Sequence, residues 1–68
     1  MGGGSLIMKA IKHWWFNGGT GCVGIVLAEN DILYIGSVDG DDEKQDVQTI
    51  LYWGAKIPPS VLAELLTL

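Results

Sequence analysis

The stretch Cys22–Val38 constrains the fold more than any other part of this chain. It reads CVGIVLAENDILYIGSV, so two short runs of aliphatic and β-branched residues flank the polar pair Asn30-Asp31. Two such runs joined by a pair of turn-forming residues are typical of a β-hairpin. A two-residue loop predicts that Leu27 lies opposite Tyr34.

Both faces of this hairpin are largely apolar in that register. One face collects Val23, Ile25, Leu27, Ile32, Tyr34 and Val38. The other face collects Val26, Ala28, Leu33, Ile35 and Ser37. A hairpin that is apolar on both faces has to be covered on both, because exposed aliphatic side chains are costly in water.

The residues before the hairpin predict one further strand. Leu6–Phe16 reads LIMKAIKHWWF, and helical spacing would scatter its three consecutive aromatic residues around the helix. The glycine-rich segment Asn17–Gly21 then turns this strand into the next, which makes a three-stranded antiparallel β-meander. The sequence of residues 1–5, MGGGS, is typical of a flexible leader of the kind that cloning leaves behind. Residues 6–68 are predicted to form a single domain.

The segment after the hairpin predicts a helix. Asp42 followed three residues later by Gln45 is a variant capping box. Residues at helical spacing form one stripe of this helix: Val47, Ile50, Leu51 and Gly54. Gly54 is expected to end the helix in the left-handed conformation.

A second short helix is predicted at the end of the sequence. Ala55–Ile57 reads as a link, and Pro58-Pro59 suits the first turn of a helix running to Leu68. The predicted fold is therefore an α+β domain, in which a three-stranded antiparallel β-meander is followed by two short α-helices packed on one face.

Composition limits the partners and the compartment. The net charge is −4 with only four basic residues, which disfavours nucleic acid and anionic membranes because both require cationic surfaces. No apolar run approaches the roughly 18 residues of a membrane-spanning helix. Cys22 is the only cysteine, so no disulfide can form within one chain, and a reducing, cytoplasmic setting is favoured.

The string Gly19-Thr20-Gly21-Cys22-Val23-Gly24 fits the pattern G-x-G-x-x-G. The dinucleotide-binding version needs a crossover helix next, whereas Cys22–Ala28 is short and β-branched. The kinase version needs catalytic strings that this chain lacks. Gly19, Gly21 and Gly24 are thus only weak candidates for anion binding, and we expect Gly24 to make room for a large neighbour such as a tryptophan.

The remaining chemical candidates are weaker still. The acidic segment Asp39–Glu43 lacks the EF-hand glycine and final carboxylate, since the sixth and twelfth positions are Lys44 and Ile50. Cys22 and His13 could form a nucleophile–base pair, but no orienting carboxylate lies near either of them in sequence. We therefore predict no catalytic residue, no metal site and no cofactor.

The function that the sequence favours is self-assembly. Val26, Leu33 and Ile35 are the predicted contacts on the uncovered hairpin face. Trp53 is a fourth predicted contact residue, because it falls about 60° outside the apolar stripe of its helix. The prediction is a small non-enzymatic interaction protein that forms a homo-oligomer, in its simplest form a dimer. The alternative is a ligand-binding or enzymatic protein whose Gly18–Gly24 loop binds an anion.

Overall fold

The computed structural model describes residues 8–17 and 21–68 as an antiparallel sheet with two helices. The elements in chain order are β1 (Ala10–Asn17), β2 (Cys22–Ala28), β3 (Leu33–Val38), α1 (Glu43–Trp53), β4 (Ala55–Ile57) and α2 (Pro59–Leu66). The strands lie in the order β1-β2-β3-β4. The α+β class is confirmed, but the sheet has four strands and not three, because the expected link Ala55–Ile57 pairs with β3. The predicted leader, residues 1–5, lies outside the described residues.

The central hairpin is shifted by one residue from the predicted register. Leu27 lies opposite Leu33 and not opposite Tyr34. The loop has three residues, since Asp31 adopts a left-handed φ of 67° and its N–H donates to the Ala28 carbonyl over 3.0 Å. This loop type is common in hairpins and changes which side chains share a face, because a strand alternates with a period of two.

The core lies between α1 and one face of the sheet. Its buried members are Val26, Ala28, Tyr34, Val47, Ile50 and Leu51. The apolar stripe predicted for the first helix therefore faces the sheet. Trp15 packs against this core above Gly24, where a Cβ would lie 2.6 Å from the Ile50 Cδ1. Each fully buried aliphatic side chain contributes about 1.5–3 kcal/mol, so this layer contributes substantially to the stability of the domain.

The two ends of α1 fall where the sequence predicts, but one has a different geometry. The Asp42 carboxylate accepts a hydrogen bond from the Gln45 N–H over 3.3 Å. Gly54 follows the helix with φ −69° and ψ 160°, so the predicted left-handed end is wrong. Glycine is needed here for a close approach, since a Cβ would lie 2.8 Å from the Ile35 carbonyl oxygen. The missing side chain lets the chain leave α1 and pair at once with β3.

The second helix does not share the core of the first. α2 begins at Pro59 as the sequence predicts, but it buries none of its residues, and Leu66 is 52% exposed. No α2 side chain is among those that pack against the core under α1. The prediction that both helices pack on one face is therefore not confirmed. Neither helix in the described part of the chain has the length and apolarity needed to cross a membrane.

Candidate interaction surfaces

The strand register sorts the side chains of the sheet into two faces. Residues directly opposite each other on neighbouring strands share a face, and α1 covers one of the two. We call the other the second face. It consists of three rows across β1, β2 and β3: Phe16–Val23–Ser37, Trp14–Ile25–Ile35 and Lys12–Leu27–Leu33.

The second face is apolar except at two of these positions, Lys12 and Ser37. The Lys12 ammonium lies 5.4 Å from the centre of the Trp14 ring, so its methylene stem covers apolar surface. Ile25 and Leu33 are buried at the centre of the face, at 0% and 5% exposure. The five apolar side chains around them are only half-buried: Trp14, Phe16, Val23, Leu27 and Ile35.

The structure separates the four residues predicted for an interface. Leu33 and Ile35 lie on the second face. Val26 is fully buried in the core under α1, so its predicted grouping with Leu33 and Ile35 is wrong. The cause is the one-residue shift of the hairpin register. Trp53 belongs to α1, which covers the other face, and is 78% exposed.

Trp53 stands beside a groove between α1 and β3. Two adjoining depressions of about 320 and 290 Å³ form this groove, and Ser37 and Thr49 line both. Trp53 and Ala55 line one end, whereas the other end is lined by carboxylates from the segment that follows β3. We call it the α1–β3 groove. Tyr52 contacts Trp53, with 4.8 Å between the two ring centres, but it lines neither depression of the groove.

His13 and Cys22 are too far apart to act as a pair. Cys22 lies opposite Asn17, and His13 is four residues away along the same strand, which corresponds to about 13 Å. His13 instead contacts Glu43, with 3.2 Å between Nε2 and Oε2, and the Trp15 indole N–H donates to the same oxygen over 3.3 Å. This carboxylate comes from the first turn of α1, which local sequence spacing could not place beside β1.

The candidate glycines do not converge on a described anion site. Gly19 lies outside the described residues. A Cβ at Gly21 would make only an ordinary contact, 3.5 Å from the Val38 carbonyl oxygen. A Cβ at Gly24, in contrast, would overlap the Trp15 ring, as expected for a glycine that makes room for a tryptophan.

The acidic segment Asp39–Glu43 organises the start of α1. Asp42 caps the helix, and the buried carboxylate of Asp46 accepts the Gly40 N–H over 3.1 Å. Within residues 8–17 and 21–68, no group of three or more His, Cys, Asp and Glu side chains is arranged to hold a metal ion.

The chain matches no family model, and neither a curated protein nor a solved structure is detectably similar to it.

Proposed function

We propose that this protein is a small non-enzymatic interaction module that forms a symmetric homodimer through the second face. The observation that carries the proposal is the half-burial of Trp14, Phe16, Val23, Leu27 and Ile35 on a face that α1 does not cover. Apolar patches of this kind on small domains mark interaction surfaces.

The charge distribution supports a second copy as the partner. The chain carries eight acidic residues, yet none belongs to the second face, whose only charged member is Lys12. Two copies can therefore meet through this face without bringing carboxylates together. A two-fold axis gives each copy the same surface, so one apolar face suffices for both.

The size of the face supports a weak dimer. From strand rise and spacing, three strands of about six residues measure about 20 Å by 14 Å, which is about 280 Å² per copy. A symmetric pair would then bury about 560 Å² in total, which is less than a tight interface needs, so we expect a dissociation constant of about 100 μM.

The cellular setting follows from the same features. The single thiol of Cys22 supports a reducing compartment, and we propose the cytoplasm. The separation of His13 from Cys22 supports a role without catalysis.

Sedimentation equilibrium tests this proposal directly. Between about 1 and 500 μM, the weight-average mass should rise from the monomer value of 7.3 kDa toward twice that value. Val23→Glu places a carboxylate on the second face between Phe16 and Ser37, away from Lys12, and should raise the dissociation constant at least about tenfold, because a charge would be desolvated without a partner.

Tyr52→Glu is the matched control. It adds the same charge at a position that is 71% exposed on α1, on the other side of the sheet, and should leave the dissociation constant unchanged. Circular dichroism should show both variants folded. A constant monomer mass over the whole range, or equal dissociation constants for the two variants, would refute the proposed dimer.

A further inference from the structure

The α1–β3 groove exposes a part of β3 that β4 leaves unpaired. β4 pairs only with Leu33, Tyr34 and Ile35, whereas β3 continues to Val38. The chain cannot extend this pairing to Ser37, because Gly54 comes next, opposite Gly36, and Trp53, which would lie opposite Ser37, is the last residue of α1. A short length of strand edge therefore borders the groove.

The hydrogen-bonding groups of Ser37 point into this groove. The Ala28 N–H donates to the Ile32 carbonyl, so in the antiparallel ladder Ile32 and every second residue after it form backbone hydrogen bonds with β2. The alternate residues of β3 direct their N–H and C=O groups away from β2, toward the edge where β4 pairs. Leu33 and Ile35 meet β4 there, and Ser37 lies beyond the last pair. Its N–H and C=O are thus placed to bond a further strand.

The two ends of the groove differ in chemistry. At one end, Trp53 stands beside Gly36 and Ala55, which have little or no side chain and leave room for an apolar group. At the other end lie the exposed carboxylates of Asp39 and Asp41, together with the helix cap Asp42. No basic residue is among the described residues that line either depression.

We propose that this groove binds a short extended peptide that carries lysine or arginine and adds to β3 as an antiparallel strand. Strand addition to a free edge is an established mode of peptide recognition, in which backbone bonds supply affinity and flanking pockets supply specificity. Because β3 runs from the Trp53 end to the acidic end, the basic residues of an antiparallel peptide precede its apolar residues. The exposed negative charge of Asp39 and Asp41 selects a cationic peptide.

This inference is independent of the proposed dimer. Self-association uses the second face, whereas the peptide would lie along the edge of β3 beside α1. A failure of peptide binding leaves the mass measurements untouched, and a monomeric protein could still bind the peptide.

Fluorescence anisotropy with defined peptides tests the proposal. The probe is fluorescein-Gly-Gly-Lys-Arg-Val-Val-amide, for which we expect a dissociation constant of about 100 μM at low salt. Raising NaCl from about 50 to 500 mM should weaken binding several-fold, because the charges are exposed to solvent. The charge-reversed peptide, Glu-Glu-Val-Val, and a version with N-methylated valines should each bind at least about tenfold more weakly, since they remove the charge match and the strand hydrogen bonds.

Variants locate the binding site. Trp53→Ala should weaken binding about fivefold or more, and the double variant Asp39→Asn/Asp41→Asn should remove most of the salt dependence. Ile11→Ala is the control, because Ile11 is another exposed apolar side chain, lies on β1 at the opposite edge of the sheet, and lines neither depression. It should bind like the wild type.

Four results would overturn the proposal. They are no binding up to about 1 mM, equal affinity for the basic and acidic peptides, equal affinity of the Trp53→Ala and Ile11→Ala variants, and a Trp53→Ala variant that no longer self-associates in sedimentation equilibrium. The last result would assign the groove to a strand of a second copy.

Discussion

Gly24→Ala provides the sharpest test of why the glycine-rich string is present. A Cβ at this position would lie 2.6 Å from the Ile50 Cδ1 and would overlap the Trp15 ring. Ile50 is only 1% exposed and sits in the core under α1, so it has little room to move away. The substitution should therefore overpack the core.

The magnitude follows from the packing. Overpacking by one methyl group lowers the free energy of unfolding by about 1–3 kcal/mol. Alanine also restricts the backbone of the unfolded chain, which raises the free energy of unfolding by about 0.4–1 kcal/mol and offsets part of this loss. A domain of 68 residues has a total stability of about 3–10 kcal/mol. Each lost kcal/mol lowers the melting temperature of so small a domain by about 4–8 °C. We therefore expect a drop of about 5–15 °C.

Urea unfolding followed by tryptophan fluorescence measures the free energy, and two further variants control the result. Gly21→Ala changes the same string where a Cβ would make only an ordinary contact, so it should stay within about 0.5 kcal/mol of the wild type. Ile50→Val alone should cost about 0.5–1.5 kcal/mol. Combined with Gly24→Ala, it should cost less than the sum of the two single substitutions, because it removes the Ile50 Cδ1 that would lie 2.6 Å from the new methyl group.

The packing explanation and the anion-binding alternative predict opposite outcomes. If Gly24→Ala were as stable as Gly21→Ala, the close contacts around Gly24 would not matter for folding. If phosphate or nucleotide raised the melting temperature of the wild type but not of Gly24→Ala, the string would bind an anion and our explanation would be wrong.

Two further substitutions test the ends of α1. Asp42→Ala should lower the free energy of unfolding by about 0.5–2 kcal/mol, because the Gln45 N–H loses its acceptor. Neither millimolar calcium nor a chelator should change the melting temperature of the wild type. A rise in melting temperature with calcium would instead make the acidic segment a metal site. Gly54→Ala should cost more than Gly36→Ala in the same unfolding assay, because its Cβ would lie within 2.8 Å of the backbone oxygens of Ile50 and Ile35, whereas at Gly36 the nearest atom would be an Ile50 side-chain carbon at 3.3 Å. Equal costs would contradict this explanation of the close approach.

Local patterns predicted the elements that depend on local chemistry. The alternating runs on either side of Asn30-Asp31 form the hairpin, and the spacing from Asp42 to Gly54 gives α1 its bounds. The exposure of Trp53 also agrees with its angle from the apolar stripe. Each of these features depends on residues close together in sequence, so periodicity and capping chemistry suffice to predict them.

Other features depend on contacts that local patterns do not contain. The hairpin register was missed because Asp31 can adopt a left-handed φ, which lengthens the loop by one residue and exchanges Val26 between faces. The strand β4 was missed because three residues carry too little periodicity to distinguish a strand from a link. The contact between Glu43 and His13 joins residues 30 positions apart and depends on where α1 docks.

The short β4 connects the fold to both proposed interactions. Because α1 continues to Trp53 and Gly54 passes close to Ile35, only three residues can join the sheet, and the β3 edge at Ser37 stays open. The same sheet presents its second face on the side away from α1. A symmetric pair joined through that face would carry two α1–β3 grooves, one on each copy. A partner with two basic segments could then occupy both grooves at once, and its second segment would bind at an effective concentration in the millimolar range if its linker spans the distance. Individually weak peptide contacts would thereby become a stable assembly without any further contact surface.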